Sequence, residues 1–356
     1  MVAKTCDASH AEAVDESEQQ LLVEKLLEWG ATPEEVEAAS PSNFNPLALD
    51  LGMRPPGQTV DLDEFIAGSD LDSDLVRRLW SAFGLPMSGP VRVTPDAAAA
   101  LQLIAGMASW LKPETALAVA RVMGSSASRL AEAMSNAFRV DVELPDIAAG
   151  KGAEERMHDN LNSGRYGVPP LLDASNAIFR RHLVLVSYAL WSTDEEQSAV
   201  TYERSVGFAD LVSSTEAVRA SSPRVLATMI REFEELVWGE VTSAGGRLVK
   251  LIGDEAMFVI EDASAACDVA LRLLDASPQR VRVGLAHGTV VGLYGDYYGE
   301  TVNLAARLVN AAEPSTVVVS DAVRMNASKD FTFDGLPEQE LKGFGEPLVF
   351  YRAGRH

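Results

Sequence analysis

Cysteine is nearly absent. Only Cys6 and Cys267 occur in 356 residues, so neither a disulfide framework nor a cysteine-based zinc site can be assembled, and a reducing compartment is expected. Long apolar runs are missing as well. No window reaches the ~18 apolar residues that a membrane span requires, and the N-terminal stretch MVAKTCDASHAEAVDESEQQ lacks the apolar core of a signal peptide. Both absences set the expectation of a soluble, cytoplasmic protein. Basic residues are scarce beside acidic ones, 30 against 52, for a net charge of -22. A surface of that sign repels nucleic acid and anionic membrane. It weighs against a DNA-binding regulator, although the short helices expected around Asp61–Gly84 imitate a helix-turn-helix, because no basic stripe accompanies them.

What is present is an ordinary globular composition, 47% apolar and 23% charged, in a chain long enough for two domains of roughly 150–200 residues. Residues 1–17 are small and acidic and read as a disordered tail. From residue 18 the chain reads as helix after helix. Helix starts recur at Thr32-Pro33-Glu34-Glu35, Thr94-Pro95-Asp96 and Lys112-Pro113-Glu114, with proline at the first helical position and carboxylates against the positive end of the dipole. At the first two a hydroxyl is available to cap free amides. Leu75, Leu79, Trp80 and Phe83 fall at helical spacing, and Gly84-Leu85-Pro86 ends that helix. The apolar stretch Asn176–Trp191, around Arg180-Arg181-His182, reads as a linker helix or a buried one. The organisation expected is a helical domain over 18–174, a linker or switch helix over 175–201, and a second domain over 202–356.

Beyond Asp194-Glu195-Glu196 the pattern changes. The runs YERSVGFADL, RLVKLIGDEAMFVI, RVRVGLAHGTVVGLY and STVVVS alternate with helical segments, which predicts an α+β sheet of mixed direction with helices on one face. Asp210 ends the run Val206–Leu211, and Asp254 sits in the turn Ile252-Gly253-Asp254-Glu255. If the first strand pairs beside that hairpin, two carboxylates meet at one sheet edge, as a pair of Mg²⁺ ions held through phosphate oxygens needs. By itself Asp254 reads as a turn residue. Asn303 and Arg307 are four apart, so on a helix they share a face. An amide and a guanidinium there suit a phosphoryl group in transfer, while the bland reading of the pair is a solvated helix face.

Taken together, FADL at Phe208–Leu211, KLIGDE at Lys250–Glu255 and DYYGETVNLAARL at Asp296–Leu308 resemble the class III nucleotidyl cyclases, over about Tyr202 to Tyr351. The resemblance implies a ferredoxin-like α+β catalytic domain preceded by an all-α regulatory domain. It implies Asp210 and Asp254 as ligands of two divalent ions, Mg²⁺ or Mn²⁺, Lys250 and Asp296 as the adenine-reading pair, and Asn303 and Arg307 as the transition-state pair. Lys342, in Leu341-Lys342-Gly343, is implied at the nucleotide phosphates. The activity implied is adenylate cyclase, a phosphorus–oxygen lyase that makes cyclic AMP from ATP. Lysine and aspartate complement the N1 acceptor and 6-amino donor of adenine, whereas guanine presents the opposite polarity. Family members use a homodimer whose two sites are each built from both chains. Two features depart from the usual pattern: Ser213 and Ser214 replace a glycine and an aromatic residue after Asp210, and Ala286-His287 replaces a His-Thr pair.

The helical half is similar to the regulatory domain of some bacterial soluble cyclases, a group that includes pH-responsive enzymes. His182 and His158 are then the candidates for sensing acid, since histidine titrates in the physiological range. A small lipid ligand enclosed by the apolar helices is the other regulatory reading. Against the cyclase stand a guanylate cyclase and a catalytically silent cyclase fold serving as a scaffold.

Overall fold

The computed structural model describes residues 16–39, 44–54, 59–87, 91–191, 201–212, 222–338, 344 and 347–356. The chain forms two compact units that divide between Ala189 and Leu190.

The first unit is helical. Helix α1 (Glu16–Glu28) leads to α2 (Pro33–Ala38), which starts at a complete capping box. The Thr32 hydroxyl accepts from the Glu35 amide at 3.2 Å, and the Glu35 carboxylate accepts from the Thr32 amide at 2.9 Å. Next come α3 (Phe44–Met53), α4 (Leu62–Ala67) and α5 (Ser73–Ala82). The last of these ends as the sequence predicts, at Gly84 with φ +75°, where the Trp80 indole donates to the Pro86 carbonyl at 3.0 Å. Helix α6 (Pro95–Met107) begins after Thr94, whose hydroxyl bonds Asp96 instead of capping an amide, and α7 (Pro113–Phe138) begins after Lys112. A two-residue ribbon, β1 (Val60–Asp61) against β2 (Arg92–Val93), joins the helices.

Helix α7 runs through a π-helical turn into α8 (Leu144–Ala148), the chain reverses at Gly150 with φ +80°, and α9 (Ala153–Asn162) passes through a second π-turn, Ser163–Gly167, into α10 (Val168–Trp191). The helical part of the expected linker is thus the later portion of α10, and residues 192–200 lie outside the described residues. Two separate cores hold the unit. Leu26, Phe44, Met157 and Leu161 join α1, α3 and α9, while Val76, Leu79, Leu101, Ile104 and Leu117 join α5, α6 and α7.

The second unit runs β3 (Thr201–Leu211), α11 (Pro223–Ser243), β4 (Arg247–Ile252), β5 (Glu255–Ile260), α12 (Ala263–Ala276), β6 (Val281–Leu293), β7 (Asp296–Tyr298), α13 (Glu300–Ala311), β8 (Val317–Ser320), α14 (Asp321–Asn326), β9 (Phe331–Gly335) and β10 (Phe350–Arg355). The sheet order is β4-β5-β3-β6-β8-β10-β9, with β7 paired to β6. Among the described residues only the β6–β8 pairing is parallel. The succession β3-α11-β4-β5-α12-β6 is a split βαβ arrangement, the ferredoxin-like core.

Helices cover both faces of the sheet, which corrects the expectation of one. The cause is visible in β3, where Ser205 to Ala209 are buried without interruption, so neither side of the strand can be left to water. On one face Ala209, Phe258 and Leu285 pack against Phe233 and Val237 of α11 and Val269 and Leu273 of α12. On the other, Val206, Phe208, Met257 and Ala286 pack against Ala305, Leu308 and Val309 of α13. Among the described residues no helix is long and apolar enough to cross a membrane.

Candidate active site

The register of β3 decides where its terminal aspartate lies. Asp210 stands opposite Glu255 of β5 on one side and Arg282 of β6 on the other, all on the α13 face of the sheet. The β4–β5 turn, with Gly253 at φ +68°, is held to the end of β3 by the Leu211 amide, which donates to the Asp254 carbonyl at 3.1 Å. Asp210 and Asp254 therefore meet at one end of the sheet, close enough for the charge of Asp254 to act on Asp210. The Asp210 side chain, 15% exposed, accepts from Arg282 Nε at 2.7 Å and Nη2 at 2.6 Å. Burial raises the Asp210 carboxyl above its ordinary range, Arg282 pulls it down, and Asp254 adds a push upward. Glu255 is raised in the same direction, by burial first and then by Asp210. Sequence reasoning missed both Arg282 and Glu255; a lone arginine inside the apolar run Val281–Leu285 was the available signal for the first.

This cluster has a deficit of positive charge that a divalent cation would relieve. Among the described residues no set of three or more His, Cys, Asp or Glu could hold an ion alone. Two adjacent hard carboxylates instead suit Mg²⁺ or Mn²⁺ bound through one or two carboxylates and completed by substrate phosphates. The residues present fit such ions.

Lys250 reaches its position through an irregularity of β4. Leu248 pairs with Phe258, and Lys250, not Val249, pairs with Met257. Strict alternation would send Lys250 to the α11–α12 side with Leu248; the bulge at Val249 turns it to the α13 side, a use of bulges common next to functional sites. There Lys250 Nζ lies 2.5 Å from Asp296 Oδ2, across 46 residues of sequence. The other oxygen, Oδ1, accepts from the Tyr297 amide at 2.8 Å. The pair is partly open, with side-chain exposures of 35% and 27%, so a planar ligand arriving there meets a donor and an acceptor side by side.

Asn303 and Arg307 share the outer face of α13, opposite the Ala305, Leu308 and Val309 stripe that packs on the sheet. Both are exposed, and neither side chain has a hydrogen-bond or ion-pair partner among the described residues. The departure at Ala286-His287 is absorbed by packing: Ala286 is buried under α13, and His287 Nδ1 lies 2.9 Å from the Ser205 hydroxyl. Lys342, Ser213 and Ser214 lie outside the described residues. His182 is exposed on α10; His158 is exposed on α9, with Asn162 Nδ2 at 3.1 Å from its Nδ1 and the Trp29 ring 6.0 Å away.

Residues 196–353 match the family model of the adenylate and guanylate cyclase catalytic domain. An uncharacterized protein of Mycobacterium tuberculosis is 34% identical over 295 residues, 79% of this chain and 75% of its own. A Streptomyces coelicolor protein named adenylate cyclase is 30% identical over 300 residues, 82% of this chain and 78% of its own. A second M. tuberculosis protein, named pH-sensitive adenylate cyclase, is 28% identical over 334 residues, 86% and 79% of the two chains. With relatives matched over most of both lengths, and with the split βαβ sheet carrying paired carboxylates at its end, the chain belongs to the adenylate and guanylate cyclase family, the class III nucleotidyl cyclases.

Proposed function

We propose that the protein is an adenylate cyclase, converting ATP to 3′,5′-cyclic AMP and pyrophosphate at sites built from two copies of the chain. The observation that carries the choice of base is the contact between Lys250 and Asp296. An ammonium donates to adenine N1 and a carboxylate accepts from the 6-amino group; guanine would leave both mismatched, a penalty of the kind that gives ~10⁴-fold discrimination in polar sites. Relatives named adenylate cyclase agree with this reading over the guanylate alternative. All six implied positions carry the residue types of an active enzyme, which speaks against a silent scaffold.

The reaction joins the ribose 3′-oxygen to the α-phosphorus as the bond from that phosphorus to the pyrophosphate oxygen breaks in line. Lys250 and Asp296 bind and select the base. Arg282, already ion-paired at the carboxylate end, is placed to neutralise phosphate charge. Arg307 and Asn303 hold the charge that spreads over the phosphoryl oxygens in the transition state. Two divalent ions, bound by Asp210 and Asp254, would supply charge neutralisation and acidify the 3′-hydroxyl.

Two features support a homodimer. Asn303 and Arg307 face outward without partners among the described residues, so they are available to a second chain. In the first unit, Met123, Leu130 and Met134 of α7 and Leu172, Phe179, Leu183 and Val186 of α10 form exposed apolar stripes at helical spacing, surface that a second copy would cover. For regulation we favour pH, on the likeness to the pH-sensitive enzyme, with His158 and His182 as sensors and α10 as the switch between the domains. A lipid has less support: the cleft of about 660 Å³ beside Phe138, Val142 and Tyr166 is also lined by Lys151, which Asp146 and Asp159 already engage.

The test is cyclic AMP formation from ATP with Mn²⁺ or Mg²⁺ by Asp210→Ala and Asn303→Ala, alone and mixed. Each should be nearly inactive alone, and the mixture should recover activity because one hybrid site is intact. A mixture as inactive as its parts would reject shared sites. Absence of any cyclic nucleotide from the unmutated chain would leave the scaffold reading in place.

A further inference from the structure

We propose that Arg247 is a positioning residue for Asp296 and through it sets how strictly the base is read; this rests on the assignment of Lys250 and Asp296 as the base-reading pair. Strands β4 and β7 are not neighbours. β5, β3 and β6 lie between them in the sheet, and β7 hangs from β6. Nevertheless two side chains of β4 reach the β6–β7 hairpin. One is Lys250, at Asp296. The other is Arg247, whose Nη2 donates to the Gly295 carbonyl at 2.5 Å and whose guanidinium lies 5.9 Å from the centre of the Tyr297 ring. Arg247 therefore holds the residues on both sides of Asp296.

The hairpin needs such a tie. Strand β7 has three residues and three paired positions, Asp296 to Leu293 through Tyr298 to Val291, and a ribbon that short has little stability of its own. Its turn places Tyr294 at φ +53° and Gly295 at φ +82°, a two-residue turn with both centres in the left-handed region. Only at Gly295 is that conformation free of a side-chain penalty. The Lys250 contact cannot be the permanent tie, because a base bound between the two groups draws the Lys250 ammonium toward itself. Arg247 is not called on by the base, so it keeps Asp296 aimed when the Lys250 contact loosens. Its planar fork suits the double task, donating in plane to a carbonyl while presenting a face to an aromatic ring.

The measurement is kcat and KM for ATP and for GTP with the full-length chain, comparing Arg247→Ala and Arg247→Lys with Lys250→Ala and Asp296→Ala as references. Base contacts act equally in the ground and transition states, so their loosening raises KM and spares kcat. Arg247→Ala should raise KM for ATP about fivefold or more, leave kcat within about twofold, and lower the ATP:GTP ratio of kcat/KM by a similar factor. Arg247→Lys, which keeps a charged donor without the planar face, should recover part of the ratio and carries the test if the alanine variant unfolds. A lowered kcat with KM and the ATP:GTP ratio unchanged would mean that Arg247 merely braces the sheet, and would overturn the proposal. If Lys250→Ala and Asp296→Ala change the ratio but neither Arg247 variant does, the Arg247 role fails alone. If none of the four changes it, the base-reading assignment falls and the proposal with it.

Discussion

Gly284→Ala tests whether the proposed transition-state pair, Asn303 and Arg307, depends on how closely α13 sits on the sheet. Gly284 lies on β6 directly beneath that helix. A Cβ added there would stand 2.2 Å from the Val309 nitrogen, 2.6 Å from the Ala305 carbonyl oxygen and 2.8 Å from the Leu308 carbonyl carbon. All three are backbone atoms, so no rotamer change relieves the clash. To bring the first distance to an ordinary contact of 3.4 Å the helix must withdraw by about 1.2 Å. Overpacking of this kind costs ~1–3 kcal/mol. At roughly 2–4 °C per kcal/mol for a unit of this size, the melting temperature should fall by about 2–12 °C while the domain still folds. Asn303 and Arg307 ride on the same helix, and a displacement of about 1 Å in a transition-state group costs on the order of 10²-fold in rate. Steady-state assay should therefore show kcat reduced by about two orders of magnitude with a much smaller change in KM for ATP, since the proposed base-reading pair, Lys250 and Asp296, is on other elements. A variant with unaltered melting temperature and kcat would refute the close-packing argument. One that is destabilised yet turns over normally would show that α13 does not carry the transition-state pair.

Two further outcomes follow from the same geometry. Glu255 has its folded-state pKa raised above the ordinary carboxylate range by burial and by Asp210 and Asp254, so the native state binds its proton more readily than the unfolded chain; stability declines as pH rises from the ordinary carboxylate range through the higher folded value and stays lower above it. Glu255→Gln should accordingly raise the melting temperature of the metal-free protein at pH 8, with the difference shrinking as pH is lowered; a lower melting temperature at pH 8, or a gap that widens in acid, contradicts the sign. In the first unit a Cβ on Gly164 would lie 2.5 Å from the Leu49 carbonyl oxygen, so Gly164→Ala should push the second π-turn off α3, cost ~1–3 kcal/mol and lower hydrogen-exchange protection in α3 and α9; unchanged protection there would show that the crossing has slack.

Much of the local structure was legible because it depends on neighbours in the chain. The hydroxyl cap at Thr32 needs only residues within one turn, and it forms as read; the structure adds the reciprocal bond from the Thr32 amide to Glu35 that completes a capping box. The same logic half fails at Thr94, where Asp96 competes for the hydroxyl. The strand runs were legible from burial pattern, yet the number of covered faces was not. Ser205 to Ala209 form a fully buried run, and periodicity in one strand says that both sides are dry without saying what dries them.

The candidate site divides in the same way. Residue types and their order along the chain are sequence properties, and they sufficed for the family resemblance and for the six positions of the proposed chemistry. Which of those groups touch is a matter of register. That Arg282 rather than solvent meets Asp210 follows from the pairing of β6 with β3. That Lys250 faces Asp296 follows from one extra residue in β4, and that Arg247 reaches Gly295 follows from a hairpin folding across three intervening strands. Strand pairing is non-local, and a shift of one residue exchanges the two faces of a strand. Chain chemistry therefore named the groups, and only the assembled sheet decided which of them act on each other.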